Sequence, residues 1–458
     1  MLPYVRYFHE GWMIMKNLTE GKPLKLILMF ALPLFVGQMF QLFYSLADTR
    51  IVGATLGEAA LAAVGATSTL SDLLMSLLNG ITNGFAIIIA TYFGAQNEKD
   101  MKKAMGGTIL MGLVAAAVIS ILSLLFLLPI LNFLNISGDL LSQARSYISI
   151  ILMGLIAATA YNICAAILRA MGDSFTPLIF LIISTILNIG LDYGFILFFH
   201  MGVAGAALAT VISQAVSAIL CFLYMRRKYP QLTLSKDDFR PRREVYQKLL
   251  STGFSMAFMS AFVQLGTFSL QTSINTFGTN TIVAHTAARK ATSIFMMPWG
   301  VLGTTLATYC GQNLGAGKYS RIKRGMRDTL FFTWGWCVLV LIVAYTLSPA
   351  IIRMITATTE PEIINTATTY LKFNTAFYFV PSVICLFRNS MQGFGDSKTP
   401  VFSSSLELLA KVVAAFLLAP AIGYWGIIVS EPIAWFIMVI PLVVNTLRNP
   451  IFKKEDLV

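Results

Sequence analysis

The chain has 458 residues, 57% of them hydrophobic and only 12% charged, with 33 Lys and Arg against 21 Asp and Glu for a formal charge of +12. Soluble domains carry about 25% charged and roughly 45–50% apolar residues, and no globular surface-to-volume ratio hides so large an excess of apolar side chain. Most of this surface faces hydrocarbon. A soluble enzyme is excluded, and so is a nucleic-acid binder, because the basic residues lie in short loops with no base-reading motif.

Apolar runs long enough to cross a ~30 Å hydrocarbon layer fall at 26–48, 62–90, 106–130, 146–168, 177–198 and 203–225. They resume at 249–275, 281–308, 329–350, 367–388, 401–421 and 425–446. The two-residue alternation of an outer-membrane barrel is absent. No small-residue cleavage pattern follows the first run, which is therefore a retained helix and not a signal peptide. The chain is an all-α polytopic membrane protein of twelve transmembrane helices.

Positive charge sets the orientation. Four of the 33 Lys and Arg (Arg50, Arg145, Arg353 and Lys372) fall in the loops and helix ends of one side and three (Arg289, Lys290 and Lys411) lie inside helices, leaving 26 for the segments of the other side. That side is the cytoplasm, and both termini lie there. Residues 226–248, with Arg226, Arg227, Lys228, Lys236, Arg240, Arg242 and Arg243, form a cytoplasmic connection between an N-terminal six-helix lobe (1–225) and a C-terminal one (249–458). The five cysteines have neither metal nor disulfide spacing and read as small buried hydrophobes.

The halves repeat. Gly172-Asp173-Ser174-Phe175-Thr176-Pro177 recurs as Gly395-Asp396-Ser397-Lys398-Thr399-Pro400, Gly202-Val203-Ala204-Gly205 as Gly423-Tyr424-Trp425-Gly426, and Gly94-Ala95 as Gly315-Ala316. In the first element glycine lets the chain leave a helix, Asp or Ser caps the next one, and Pro suits its first turn. Six spans separate equivalent points, so the lobes enter the membrane in the same sense. A pseudo-two-fold axis along the membrane normal relates them, an arrangement that recurs among transporters.

Ionisable residues inside spans are functional candidates by default. Asp48 ends the first span. Asn188 and Asp192 share a face of the fifth span at i, i+4. Thr210 in the sixth lies at similar depth. Two carboxylates, an amide oxygen and a hydroxyl are hard donors for a small cation such as Na+, or a proton site. A hydrogen-bond network and a water-lined surface are the alternatives. The second half does not reproduce the set: Ser269 aligns with Asp48, and Glu431 with Thr210. Glu407 and Lys411 stand one turn apart in the eleventh span and read as a structural ion pair. Asp72, Gln38, Arg289 and Glu431 are candidates for a substrate or proton pathway. Pro33, Gly37, Pro298, Gly300 and Gly303 offer bending points. No nucleotide loop, zinc-hydrolase motif or nucleophile elbow is present.

Pro33-Leu34-Phe35-Val36-Gly37-Gln38, Ala47-Asp48-Thr49-Arg50-Ile51-Val52-Gly53 and Leu56-Gly57-Glu58-Ala59-Ala60-Leu61 open a series of short motifs. Arg169-Ala170-Met171-Gly172-Asp173, Asn188-Ile189-Gly190-Leu191-Asp192 and Gly311-Gln312-Asn313-Leu314-Gly315-Ala316-Gly317 continue it. In this order the chain resembles the multidrug and toxic compound extrusion family over nearly its full length. The resemblance implies two six-helix lobes around a V-shaped cleft and alternating access driven by Na+ or H+. In members with a first-lobe cation site the ligands match Asp48, Asn188, Asp192 and Thr210. Other members use acidic residues of the seventh and tenth helices, where this chain has none.

The expected function is cation-coupled antiport exporting amphipathic organic compounds from a plasma membrane. The expected protein is a monomer with no cofactor beyond its coupling ion, no nucleic acid and no obligatory protein partner. The alternative is a flippase for a lipid-linked saccharide, which calls for a strongly cationic cleft.

Overall fold

The computed structural model describes residues 17–133, 136, 138–240 and 242–456. Expectations for residues 1–16 and for the last two residues lie outside the described residues. No strand occurs among the described residues. In chain order the helices are α1 Pro23–Leu56, α2 Glu58–Gly94, α3 Glu98–Leu125, α4 Leu127–Phe133, α5 Asp139–Ala170, α6 Phe175–Tyr193 and α7 Gly202–Lys228. After two short 3₁₀ turns follow α8 Arg243–Ile274, α9 Thr279–Gly315, α10 Tyr319–Thr356, α11 Pro361–Thr375, α12 Phe379–Gly393, α13 Lys398–Val413, α14 Ala419–Ile422 and α15 Tyr424–Arg448.

Ten helical stretches are long and apolar enough to cross a membrane, the stretch Lys398–Ile422 joining α13 and α14, and the bent pair α11–α12 makes an eleventh. The twelfth expected span corresponds to α9, which is 37 residues long but diluted by Thr, Arg289 and Lys290. The helices outrun the apolar runs: the expected gap between the first two spans shrinks to Gly57, whose φ of 85° only glycine adopts freely. The break between α11 and α12 bends the chain by 59°. Pro381 lacks the amide that would bond to the Phe377 carbonyl, and Val380 N–H takes that carbonyl instead at 2.9 Å. Pro33 and Pro298, two of the expected bending points, sit inside continuous helices.

Two compact units result, one from Met29 to Ala257, the other from Leu18–Leu28 with the chain from Phe258 onward. In the first unit α5 packs against α2, α3 and α7, and α6 against α7. In the second, α9 packs against α10, α11 and α12, and α13 against α15. The helices present their small side inward. On α3, Gly106, Gly112, Ala116 and Ser120 are buried while Val114, Val118, Ile121 and Leu125 are exposed, an outward apolar stripe suited to lipid. Gly80 and Gly84 let α2 touch the α8 backbone, where a Cβ would meet the Met256 carbonyl oxygen at 2.8 Å and that of Thr252 at 2.6 Å.

The repeated turn works as its residues dictate. Asp173 accepts from Thr176 N–H at 2.9 Å and from its hydroxyl at 2.6 Å. Asp396 accepts from Thr399 N–H at 3.1 Å and its hydroxyl at 2.8 Å. Gly172 and Gly395 precede them at φ 90° and 92°. A further repeat emerges from the backbone: a π-helical turn at Gly194–Phe198 ends α6, and another at Ala414–Leu418 ends α13. In the first half this turn follows directly on Asp192 and Tyr193.

Candidate cation site

Asp48, Asn188, Asp192 and Thr210 come together in the first unit from α1, α6 and α7. Asn188 and Asp192 project from one face of α6 and are 1% and 0% exposed. Asn188 Nδ2 donates to Thr210 Oγ1 at 3.3 Å. That hydroxyl also meets Tyr44 Oη at 3.0 Å. Tyr44 stands one turn before Asp48 on α1, so the helix carries both to the same place. The Asp48 and Asp192 carboxyl groups lie within hydrogen-bonding reach of each other. Tyr147 on α5 is within electrostatic reach of both.

The arrangement directs oxygen at oxygen. Both carboxylate oxygens of Asp192, Oδ1 of Asp48 and Oδ1 of Asn188 are shielded from solvent and have no hydrogen-bond partner among the described residues. Buried acceptors without donors cost several kcal/mol or more in a membrane interior unless something positive meets them. Two carboxylates and neutral oxygens suit a small hard cation, or one proton shared between the acids. No group of three or more His, Cys, Asp or Glu able to hold a metal occurs among the described residues.

A cavity of about 120 Å³ opens beside the site, lined by Asn188, Gln41, Asn79, Asn162, Ser213 and Gln214 among others. Asn162 Nδ2 donates to Asn79 Oδ1 at 2.8 Å across it. The volume accepts water or a small ion; drug-sized ligands fill roughly 300–1,000 Å³.

Of the other sequence candidates, Asp72 is within electrostatic reach of Tyr147, as Asp48 and Asp192 are. Asp72 on α2 and Gln38 on α1 are exposed, and Asp72 makes no ion pair among the described residues. Arg289 on α9 donates through Nη1 to Glu431 Oε1 on α15 at 3.1 Å. Lys411 Nζ lies 2.8 Å from Glu407 Oε1, and Arg388 adds a second cation, its Nη1 at 3.5 Å from Glu407 Oε2. Sequence reasoning did not single out Arg388, the last residue of the tenth apolar run. Nothing in its sequence neighbourhood signals a partner on α13. It missed Tyr44 as well, although the four-residue spacing to Asp48 was a signal.

Comparison with known proteins places this architecture. The MatE family profile matches residues 33–194 and 255–417, one stretch in each half. The chain belongs to the MatE family. It is 26% identical to the probable multidrug resistance protein YoeA of Bacillus subtilis over 439 residues, 94% of each chain. It is 24% identical to the probable multidrug resistance protein NorM of Thermotoga maritima over 400 residues, 86% of this chain and 85% of the other. Its fold matches a crystal structure of MATE in the bent conformation with a TM-score of 0.88 at 22% identity, covering 95% of this chain and 98% of that one. It also matches a MOP superfamily transporter from Pyrococcus furiosus with a TM-score of 0.87 at 22% identity, covering 96% and 98%. The MatE chain therefore has the twelve-helix, two-lobe fold of these structures. It is an ion-coupled secondary transporter of the membrane and not an enzyme.

Proposed function

We propose that the chain is a cation-coupled antiporter that exports amphipathic organic compounds by alternating access. Asp48 and Asp192 carry the driving Na+ or H+, with Asn188 and Thr210 as neutral ligands. The observation that carries this reading is the set of shielded, partnerless oxygens on Asp48, Asn188 and Asp192. The relatives named for multidrug resistance support an efflux substrate class.

The chemistry follows from repulsion. Two adjacent carboxylates that are both ionised repel each other in a low-dielectric interior, and a bound cation or proton removes that repulsion. Loading the site therefore favours one arrangement of α1, α6 and α7, and emptying it favours another. Coupling needs only that substrate and cation prefer different arrangements. The polar cavity at Asn188 offers a small cation an approach to these oxygens. A lipid-linked saccharide flippase needs free cations for a pyrophosphate. Arg289 pairs with Glu431, and Lys411 and Arg388 share Glu407, so the cluster keeps a single net positive charge, too few for a pyrophosphate, which favours the exporter. Reconstituted protein should expel a fluorescent amphiphile when a sodium gradient or a pH gradient is imposed alone. The effective gradient identifies the ion, and export under neither overturns the reading.

A further inference from the structure

The second unit encloses more positive than negative charge at one place. Glu407 on α13 is 6% exposed and faces two cations. Lys411 Nζ donates to its Oε1 at 2.8 Å, and Arg388 Nη1 on α12 reaches its Oε2 at 3.5 Å and Ser404 Oγ at 3.0 Å. One carboxylate cannot neutralise both. The nearest further acid within electrostatic reach of Lys411, Glu431, is already bonded to Arg289 at 3.1 Å. Counted together, Arg289, Arg388 and Lys411 oppose Glu407 and Glu431, which leaves one positive charge.

A second observation points to the same spot. Arg388 Nε is shielded from solvent and has no acceptor among the described residues. A guanidinium offers five N–H donors in a fixed fork, matched to the two oxygens of a carboxylate or phosphate. The Arg388 side chain keeps 14% of its surface exposed, whereas Lys411 keeps 4%. An incoming group therefore meets the arginine, and the lysine supplies supporting charge behind Glu407. An uncompensated charge inside a membrane protein is costly, and an anionic ligand offsets it.

We infer that Arg388, backed by Lys411, forms an anion-accepting subsite for the acidic head group of a transported amphiphile. This rests on the exporter reading above and narrows it: substrates include compounds with one carboxylate or phosphate on an apolar body. The subsite sits in the other unit from Asp48 and Asp192, so the two oppositely charged centres act on different ligands.

The test is equilibrium binding, with no ion gradient, to protein in nanodiscs of phosphatidylcholine. The probes are a dansyl-labelled alkyl carboxylate, its carboxamide isostere and its terminal amine. Wild type should bind the carboxylate about tenfold more tightly than the carboxamide, the effect of one charge-assisted bond. Arg388→Gln and Lys411→Met each leave Glu407 with one cation, so both preserve a neutral buried pair. Each should lower the carboxylate affinity to that of the carboxamide and so lose the preference. Equal binding of the three probes by wild type overturns the inference whatever the variants do, as does a preference that survives both substitutions. Nanodiscs containing phosphatidylglycerol should leave the preference intact. If that lipid abolishes it, the site serves a lipid head group and the substrate assignment fails. Because no gradient is present, failure of Asp48 and Asp192 as coupling residues leaves this result untouched.

Discussion

Glu407 binds two cations, and the consequence at the level of single residues is an asymmetry. Removing Lys411 or Arg388 leaves a balanced pair, whereas Glu407→Gln leaves two buried cations facing each other. Breaking a buried pair so that charge is uncompensated costs about 3–5 kcal/mol. Thermal unfolding in detergent should therefore rank Glu407→Gln as the most damaging of the three, with Lys411→Met and Arg388→Gln well behind. Equal losses for Glu407→Gln and Lys411→Met would show that Arg388 does not share the carboxylate. The Asp48, Asn188, Asp192 and Thr210 set was legible in sequence because span depth can be counted and an i, i+4 face is certain. The Arg388 contact was not, because it depends on the packing of α12 against α13, which no local spacing reports. Tyr147 was invisible for the same reason, being brought to the aspartates by α5 alone. Asp72 and Gln38, polar residues in apolar runs, are both exposed.

At the scale of elements, the repeated turn offers a matched comparison. Asp173 is 6% exposed and takes its third hydrogen bond from Tyr229 Oη at 3.2 Å, whereas Asp396 is only half-buried and takes its third from Lys398 N–H at 3.1 Å. Loss of a cap costs about 0.5–2 kcal/mol. Asp173→Ala should therefore sit at or above the top of that range and Asp396→Ala near the middle, measured by denaturation of purified protein. Glycines divide in the same way. Gly84→Ala puts a methyl 2.6 Å from a backbone oxygen of α8 and should cost about 1–3 kcal/mol through overpacking. Gly335→Ala on exposed α10 meets nothing within 4 Å and should be neutral or gain up to about 1 kcal/mol. Apolar length and turn chemistry made the elements readable before any coordinates. The break at Pro381 was the exception: Pro33 and Pro298 looked equally disruptive, yet stand within continuous helices. Whether a proline breaks a span depends on whether neighbouring groups donate to the freed carbonyl, which is a tertiary matter.

At the scale of the whole chain, segments outside the spans are docked as well. Leu18 N–H donates to Gln312 Oε1 at 3.0 Å, and Arg321 Nη1 donates to the Gly21 carbonyl at 2.8 Å. The C-terminal tail is held by Asp456, which accepts from Ser320 N–H at 2.7 Å and from the Ser320 hydroxyl. These bonds hold the Asp456 carboxyl below the usual carboxylate range. A depressed acid stabilises docking above its unfolded pKa, and that contribution disappears as pH falls through the lowered value. Asp456 is exposed, so the effect is small and local. Hydrogen exchange of residues 449–456 should accelerate, relative to the intrinsic rate, on acidification through that range. Ser320→Ala should show the faster exchange already at neutral pH. The two-lobe repeat was visible in sequence through its turns, yet the shared π-helical turns at 194–198 and 414–418 were not. Their residues, Gly-Phe-Ile-Leu-Phe and Ala-Ala-Phe-Leu-Leu, have no common pattern beyond apolarity.

Gradient-driven efflux from proteoliposomes by the Asp48→Asn/Asp192→Asn double variant tests the coupling centre most directly. An amide keeps the shape and an oxygen donor but holds neither the charge that attracts a cation nor an exchangeable acidic proton. The folded double variant should bind amphiphile yet show no export above a liposome control under either gradient. Asn188→Ala and Thr210→Ala should export with a raised requirement for the driving cation. Wild-type export rates from the folded double variant would contradict the account and remove Asp48 and Asp192 as the coupling site.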